Sequence, residues 1–195
     1  MSKIDKSVLG VAGEFAVAAE LCRRNIYAQP TFGHQKRMDL LAFGPGGRML
    51  RLEVKAKQGQ EWPNCHGISG LDTFLVFVYF AGRLAAERPD FYILSSSEWR
   101  DTAMAAINRY KAKHPERRAV ITDEGLVRLP DEVNAQGHEY VGCGVRPEHI
   151  AGHKEAWQKI AEALQARSEF VRAVGAPEPA LQDRSDCDAD EAGET

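Results

Sequence analysis

The sequence predicts an α/β fold in which a central mixed β-sheet is flanked by helices, and three features carry that expectation. An alanine-rich helical stretch opens the chain, two alternating strands meet at a glycine-rich turn between residues 37 and 56, and an unbroken apolar run fills residues 73–80. At 195 residues the chain supports one full hydrophobic core. With 44% apolar and 27% charged residues it falls outside the disordered, collagenous and coiled-coil classes.

Ser7 is the expected cap of a first helix over residues 8–24, apolar on nearly every side and therefore buried, with Glu20 and Arg24 as an i,i+4 pair near its end. A short strand follows Asn25 and ends by Phe32. Residues 37–43 and 48–56 then alternate around Gly44-Pro45-Gly46-Gly47, which is the signature of a hairpin. Residues 59–70 read as a loop, holding Pro63, Asn64 and three glycines.

The run Thr73 to Phe80 fits a central strand covered on both faces, and its aromatics read as core rather than as a base-stacking platform. Residues 90–94 are the next strand. The serines at 95–97 cap a helix from Glu98 towards Lys113 that His114-Pro115 ends. Between 117 and 149 only short elements are legible, and from Glu148 to Val174 a last helix carries Trp157, Ile160, Leu164, Phe170 and Val171, with an interruption near Ser168. The expected organisation is one domain over 1–175, with a core at 7–113 and a helical or irregular extension at 114–175. An acidic, proline-containing tail at 176–195 is expected to be disordered.

Charge is unevenly placed. The tail's seven acids against one arginine contribute −6 to a chain total of −3, which leaves +3 on the body, a mild basicity compatible with phosphate binding. No stretch is apolar enough to span a bilayer and the first residues lack a signal-peptide layout, so a cytoplasmic protein with no membrane partner is expected. Its cysteines (Cys22, Cys65, Cys143, Cys187) are scattered and read as reduced thiols.

The hairpin carries the chemistry. If Pro45-Gly46-Gly47 forms a three-residue loop with a left-handed glycine, residues whose numbers sum to 92 face each other and Asp39 lies opposite Glu53. Met38, Leu40, Ala42, Leu50, Leu52, Val54 and Ala56 then share one apolar face, while Arg37, Asp39, Arg51, Glu53 and Lys55 share the other. A register shifted by one would mix the faces. Opposed carboxylates repel unless a cation lies between them, and hard oxygen donors suit Mg²⁺, with Mn²⁺ as substitute. Surface salt bridges along an exposed strand face are the bland alternative.

In order of elements, with Met38-Asp39-Leu40 on one hairpin strand and Glu53-Val54-Lys55 on the other, the chain resembles the restriction-endonuclease-like core of the PD-(D/E)xK nuclease superfamily, and small archaeal Holliday-junction resolvases begin in a similar way. The resemblance spans about residues 7 to 100 and departs at Met38, where the proline that names the motif would stand. It implies Mg²⁺-dependent hydrolysis of phosphodiester bonds, with DNA as the expected substrate, Asp39 and Glu53 as ligands, Lys55 catalytic, and Glu14 supporting from the first helix. Apolar neighbours at helical spacing, Gly10, Val17, Ala18 and Leu21, independently place Glu14 on a face where its charge needs a partner.

Lys36, Arg37, Lys57 and Gln58 are candidate nucleic-acid contacts, with Trp62 and His66 as rim contacts, and a homodimer is expected if both strands of a duplex are cut. Two other function classes stay open: an inactive nuclease-fold module that binds nucleic acid or protein, and an RNA-cutting toxin or defence effector. His138, Cys143, His149 and His153 match no standard zinc spacing. Cys65-His66 lacks an orienting third group for nucleophilic catalysis.

Overall fold

A computed structural model describes residues 4–31, 38–83, 85–133 and 136–173, with side chains through residue 166. Its elements in chain order are α1 (Lys6–Cys22), β1 (Tyr27–Pro30), β2 (Leu40–Phe43), β3 (Met49–Lys57), β4 (Trp62–Cys65), β5 (Thr73–Tyr79), β6 (Asp90–Ser95), α2 (Ser96–Lys113), β7 (Val120–Ile121), β8 (Val127–Val133), β9 (Glu139–Val141), β10 (Cys143–Val145) and α3 (Gln158–Ala173). The central sheet runs β1-β2-β3-β5-β6; β3 and β5 are parallel and the other neighbours antiparallel. The fold is thus mixed α/β, a central mixed sheet flanked by helices.

The hairpin register is the expected one. Leu40 pairs with Leu52, Ala42 with Leu50 and Phe43 with Met49, each pair summing to 92. Pro45–Gly47 forms a 3-10 turn in which Gly46 and Gly47 have φ of 66° and 76°, the left-handed conformation the loop requires. Period two then sorts the sheet into two cores. Leu40, Ala42, Leu50, Leu52, Val54, Val76, Val78 and Ile93 pack with α1 and α3 on one face. Leu75, Phe77, Tyr92 and Leu94 pack with Trp62, Trp99 and Ile107 on the other. The apolar run of β5 is covered on both sides, as its composition predicts.

Several boundaries differ. Asp5, not Ser7, caps α1, its carboxylate accepting from the N–H groups of Ser7 and Val8. The helix is not buried all round, because Val8, Val11 and Phe15 lie on its solvent side. The Glu20–Arg24 pair forms at 2.5 Å, and Arg88 adds a bidentate grip on the same buried carboxylate at 2.8 and 2.9 Å. Ser95 and Glu98 make a reciprocal capping box at the start of α2.

The supposed loop at 59–70 holds β4, which pairs with β10 some eighty residues on. The stretch read as short elements forms the three-stranded sheet β7-β8-β9. The last helix breaks earlier than expected: Pro147–His153 is a 3-10 segment, Glu155 turns the chain at φ 54°, and α3 starts at Gln158 and runs unbroken through Ser168. That turn is held by Glu155, whose N–H donates to Phe91 O and whose carboxylate binds Arg88. Trp157, Ile160 and Leu164 lie in the core as expected, while the side chains of Phe170 and Val171 and the acidic tail fall outside the described residues.

Candidate functional site

The site grows from the end of the hairpin away from the turn. Asp39 sits one residue ahead of β2; its N–H donates to Leu52 O at 2.9 Å, which holds it against β3. The N–H of Val54 in turn donates to Asp39 Oδ2 at 2.7 Å, so the carboxylate is held against the β3 backbone. Lys55 lies two residues beyond Glu53 on the same face of β3. Its Nζ is 2.5 Å from Glu53 Oε1. Glu53 is only 4% exposed, and its Oε2 is buried with no hydrogen-bond partner among the described residues. Such an oxygen forgoes roughly 1–3 kcal/mol of solvation unless something positive or protic reaches it.

Glu14 arrives from α1. The preceding Gly13 lets helix and strand approach closely, since a Cβ there would lie 2.7 Å from Ala56 Cβ and 3.4 Å from Val54 Cγ1. Burial first, and the negative charge of Asp39 second, raise the Glu14 carboxyl above its ordinary range. Glu14 and Asp39 therefore feel each other. Even so, no three His, Cys, Asp or Glu side chains among the described residues form a ready metal cluster, so Glu14, Asp39 and Glu53 do not close on one point. The donor chemistry itself is all carboxylate oxygen, one of them unpaired and buried.

Beside Lys55 opens a cavity of about 900 Å³, lined among others by Lys6, Lys55, Lys57, Gln58 and Trp62. Gln58 accepts from Ile4 N at 3.1 Å, tying the start of the chain to the end of β3. Lys6, at the first turn of α1, was not singled out by sequence; its place beside Lys55 depends on how α1 docks, which no local pattern encodes. Lys36 and Arg37 lie outside the described residues.

One further expectation is corrected. Trp62 cannot serve as a rim contact: it is 2% exposed and packs against Phe77 and Tyr79 with ring centroids 5.0 and 5.5 Å away. His66 is exposed as expected. Cys65 is buried, donates its thiol to Trp62 O at 3.2 Å, and has its pKa driven up mainly by burial, which removes it as a nucleophile. His149 lies against Arg109 and His153 against Lys159 and Glu98, and no three His, Cys, Asp or Glu side chains among the described residues stand together as metal ligands. Cys22, Cys65 and Cys143 are free thiols, and Cys187 lies outside the described residues.

No protein-family model matches the chain, and no curated protein does. Among solved structures, a bacterial homing endonuclease, I-Ssp6803I, is similar at a TM-score of 0.44 and 15% sequence identity, over 85% of this chain and 99% of that one. No helix among the described residues is long and apolar enough to cross a membrane.

Proposed function

We propose that the protein is a metal-dependent endonuclease of the PD-(D/E)xK type that hydrolyses phosphodiester bonds, with DNA as its substrate. The observation that carries this reading is Glu53, a buried carboxylate with one oxygen against Lys55 and the other without a partner among the described residues, on the strand that Asp39 hydrogen-bonds. A surface salt bridge would not bury its acid and leave half of it unsatisfied.

Mg²⁺ takes one or two protein carboxylates and completes its shell with water, so two facing acids suffice without a three-residue cluster. Asp39 and Glu53 would hold the ion, with Mn²⁺ as substitute and Glu14 as a further acid from α1. When bound, such an ion supplies an acidified water and positive charge against a phosphate. The chain's own residues do the rest. Val54 N–H fixes the Asp39 carboxylate, and Glu53 Oε1 positions the Lys55 ammonium. From there Lys55 Nζ donates hydrogen bonds to the attacking water and to the phosphoryl oxygens as charge builds on them. Lys57 and Lys6 line the adjoining cavity and offer charge to the phosphates on either side.

The test is cleavage of duplex, single-stranded and branched DNA and of RNA in Mg²⁺ or Mn²⁺, for the wild type and Lys55→Ala. Cutting of DNA that Lys55→Ala loses supports the reading; no cutting of any substrate, or equal cutting by both, rejects it. Cutting of RNA alone would make the protein a ribonuclease of the same chemistry. The second reading, a binding module without catalysis, is favoured by the closed Glu53–Lys55 pair, which satisfies part of the site internally. A module of that kind has no need of a divalent ion at Asp39 and Glu53.

A further inference from the structure

Among the described residues, the half of the sheet that leads to the site is largely uncovered on the site's own face. On that face α2 and the β4–β10 ribbon cover β5 and β6, where Leu75, Phe77, Tyr92 and Leu94 are buried. Over β1, β2 and the start of β3 the described residues leave the same face partly open: Tyr27, Gln29, Met49 and Arg51 are exposed and Leu41 and Phe43 half-buried, while Glu53 farther along β3 is buried. Tyr27 pairs with Phe43 and Phe43 with Met49, which makes one row across three strands. Tyr27 is 61% and Met49 50% exposed, and the Tyr27 and Phe43 rings lie 5.5 Å apart, tilted by 40°. The next row is Gln29, Leu41 and Arg51. Arg51 is exposed and has no carboxylate partner among the described residues, whereas Arg48 is neutralised by Asp72. Beyond it, Glu53 continues β3 and Asp39 stands one residue ahead of β2. Four residues of strand separate Phe43 from Asp39, a span of about 13 Å at ~3.3 Å per residue.

A face with an exposed tyrosine ring against a half-buried phenylalanine at one end, a guanidinium without a carboxylate partner among the described residues in the middle and the carboxylate–lysine pair at the other matches a nucleic-acid strand better than a protein. The core of a protein interface sheds charge, yet Arg51 stands at the centre of this one. Rings on a sheet stack on bases only where the bases expose a π-face, which a closed duplex does not offer. We propose that this bare face, centred on Tyr27, Phe43 and Arg51, is a platform for unpaired nucleotides. The bases stack on Tyr27 and Phe43 while Arg51 takes a backbone phosphate, and the strand is thereby led to Glu53 and Lys55. The inference rests on the nuclease reading and names the kind of substrate that reading leaves open: a strand with locally unpaired bases.

The test is fluorescence-anisotropy titration of a labelled single strand and of its duplex in EDTA, where nothing is cut. The proteins are wild type, Tyr27→Ala, Tyr27→Phe, Phe43→Ala and Arg51→Ala, each checked for folding by circular dichroism. The expected result is tighter binding of the single strand than of the duplex, with single-strand affinity weakened roughly 10-fold or more by each alanine at a ring. Tyr27→Phe should bind like the wild type, and Arg51→Ala should reduce the slope of log affinity against log salt by about 0.7, the value of one single-strand phosphate contact. A wild type that cuts nucleic acid in Mg²⁺ while Tyr27→Ala and Phe43→Ala bind the single strand unchanged overturns the platform and leaves the nuclease reading standing. A dimer in sedimentation that Tyr27→Ala dissociates would also overturn it, giving the face to a second copy of the chain. A wild type that neither cuts nor binds either oligonucleotide removes both readings together.

Discussion

The Lys55 ammonium lies 2.5 Å from one carboxylate oxygen of Glu53, and the other oxygen of that carboxylate is buried with no partner among the described residues. Removing the lysine should therefore act on stability and on chemistry separately. Lys55→Met should cost about 1–3 kcal/mol in urea unfolding, because it strands a buried carboxylate. It should also lower cleavage by roughly 10²- to 10³-fold, the usual loss when a positioned donor to a transition state is removed. Adding Glu53→Gln should recover much of the stability and none of the cleavage. Recovery of both by the double variant would contradict the role assigned to the pair.

Gly13 sets how closely α1 approaches β3, and a Cβ there would meet Ala56 Cβ at 2.7 Å. Gly→Ala within a helix ordinarily gains about 1 kcal/mol. Overpacking against a strand costs about 1–3 kcal/mol and should win. Gly13→Ala is expected to lower the urea midpoint and to impair cleavage, since the displaced helix carries Glu14; a midpoint at or above that of the wild type would show that the helix can shift without cost.

Glu14 feels burial and the Asp39 charge, both of which favour its protonated form. A carboxyl whose folded pKa is raised binds its proton more tightly in the native state, so it destabilises the fold once ionised. That penalty is complete above the raised pKa and disappears as pH falls towards the ordinary value of 4.5. Glu14→Gln should accordingly stabilise the metal-free protein at pH 7, by on the order of 0.5 kcal/mol for a partly exposed like-charge contact. The gain should shrink to nothing near pH 4. Thermal unfolding at the two pH values checks this, and a gain independent of pH would assign it to helix propensity instead.

Glu20 shows the opposite sign. The Arg88 hydrogen bonds hold its carboxyl at about 2, against an ordinary 4.5. Its stabilisation is therefore complete above about pH 4.5 and lost as pH falls towards 2. Arg88→Met should cost roughly 2 kcal/mol at neutral pH, below the usual 3–5 for a broken buried pair because Arg24 still holds the acid. The difference between wild type and variant should narrow by pH 3. An equal difference at pH 3 and pH 7 would place the loss in the packing of the guanidinium over Phe91 instead.

Local rules reached the hairpin and failed where distant partners decide. The register of β2 on β3 was legible because turn and face agree: Gly46 and Gly47 fit the loop, and only a sum of 92 puts Leu40, Leu50 and Leu52 together under α1. Strand β4 was not, since Trp62-Pro63-Asn64-Cys65 looks like a turn and becomes a strand only by pairing with residues 143–145. The break before α3 was hidden for a similar reason. Lys154-Glu155 suits a helix, and what removes it is the grip of Phe91 and Arg88 on Glu155 from β6 and the segment before it. At the site, Glu53 and Lys55 on one face of β3 follow from period two. That Glu53 is buried with one oxygen unsatisfied does not, because the cover over β3 comes from elements far along the chain.

Whether Asp39 and Glu53 together hold a divalent cation is tested most directly by calorimetric titration of the whole protein with Mn²⁺, alongside Asp39→Asn and Glu53→Gln. Saturable binding by the wild type, lost or weakened at least about 10-fold in each variant, is the expected result. A wild type that takes up no Mn²⁺, or variants that bind it as the wild type does, would contradict the claim.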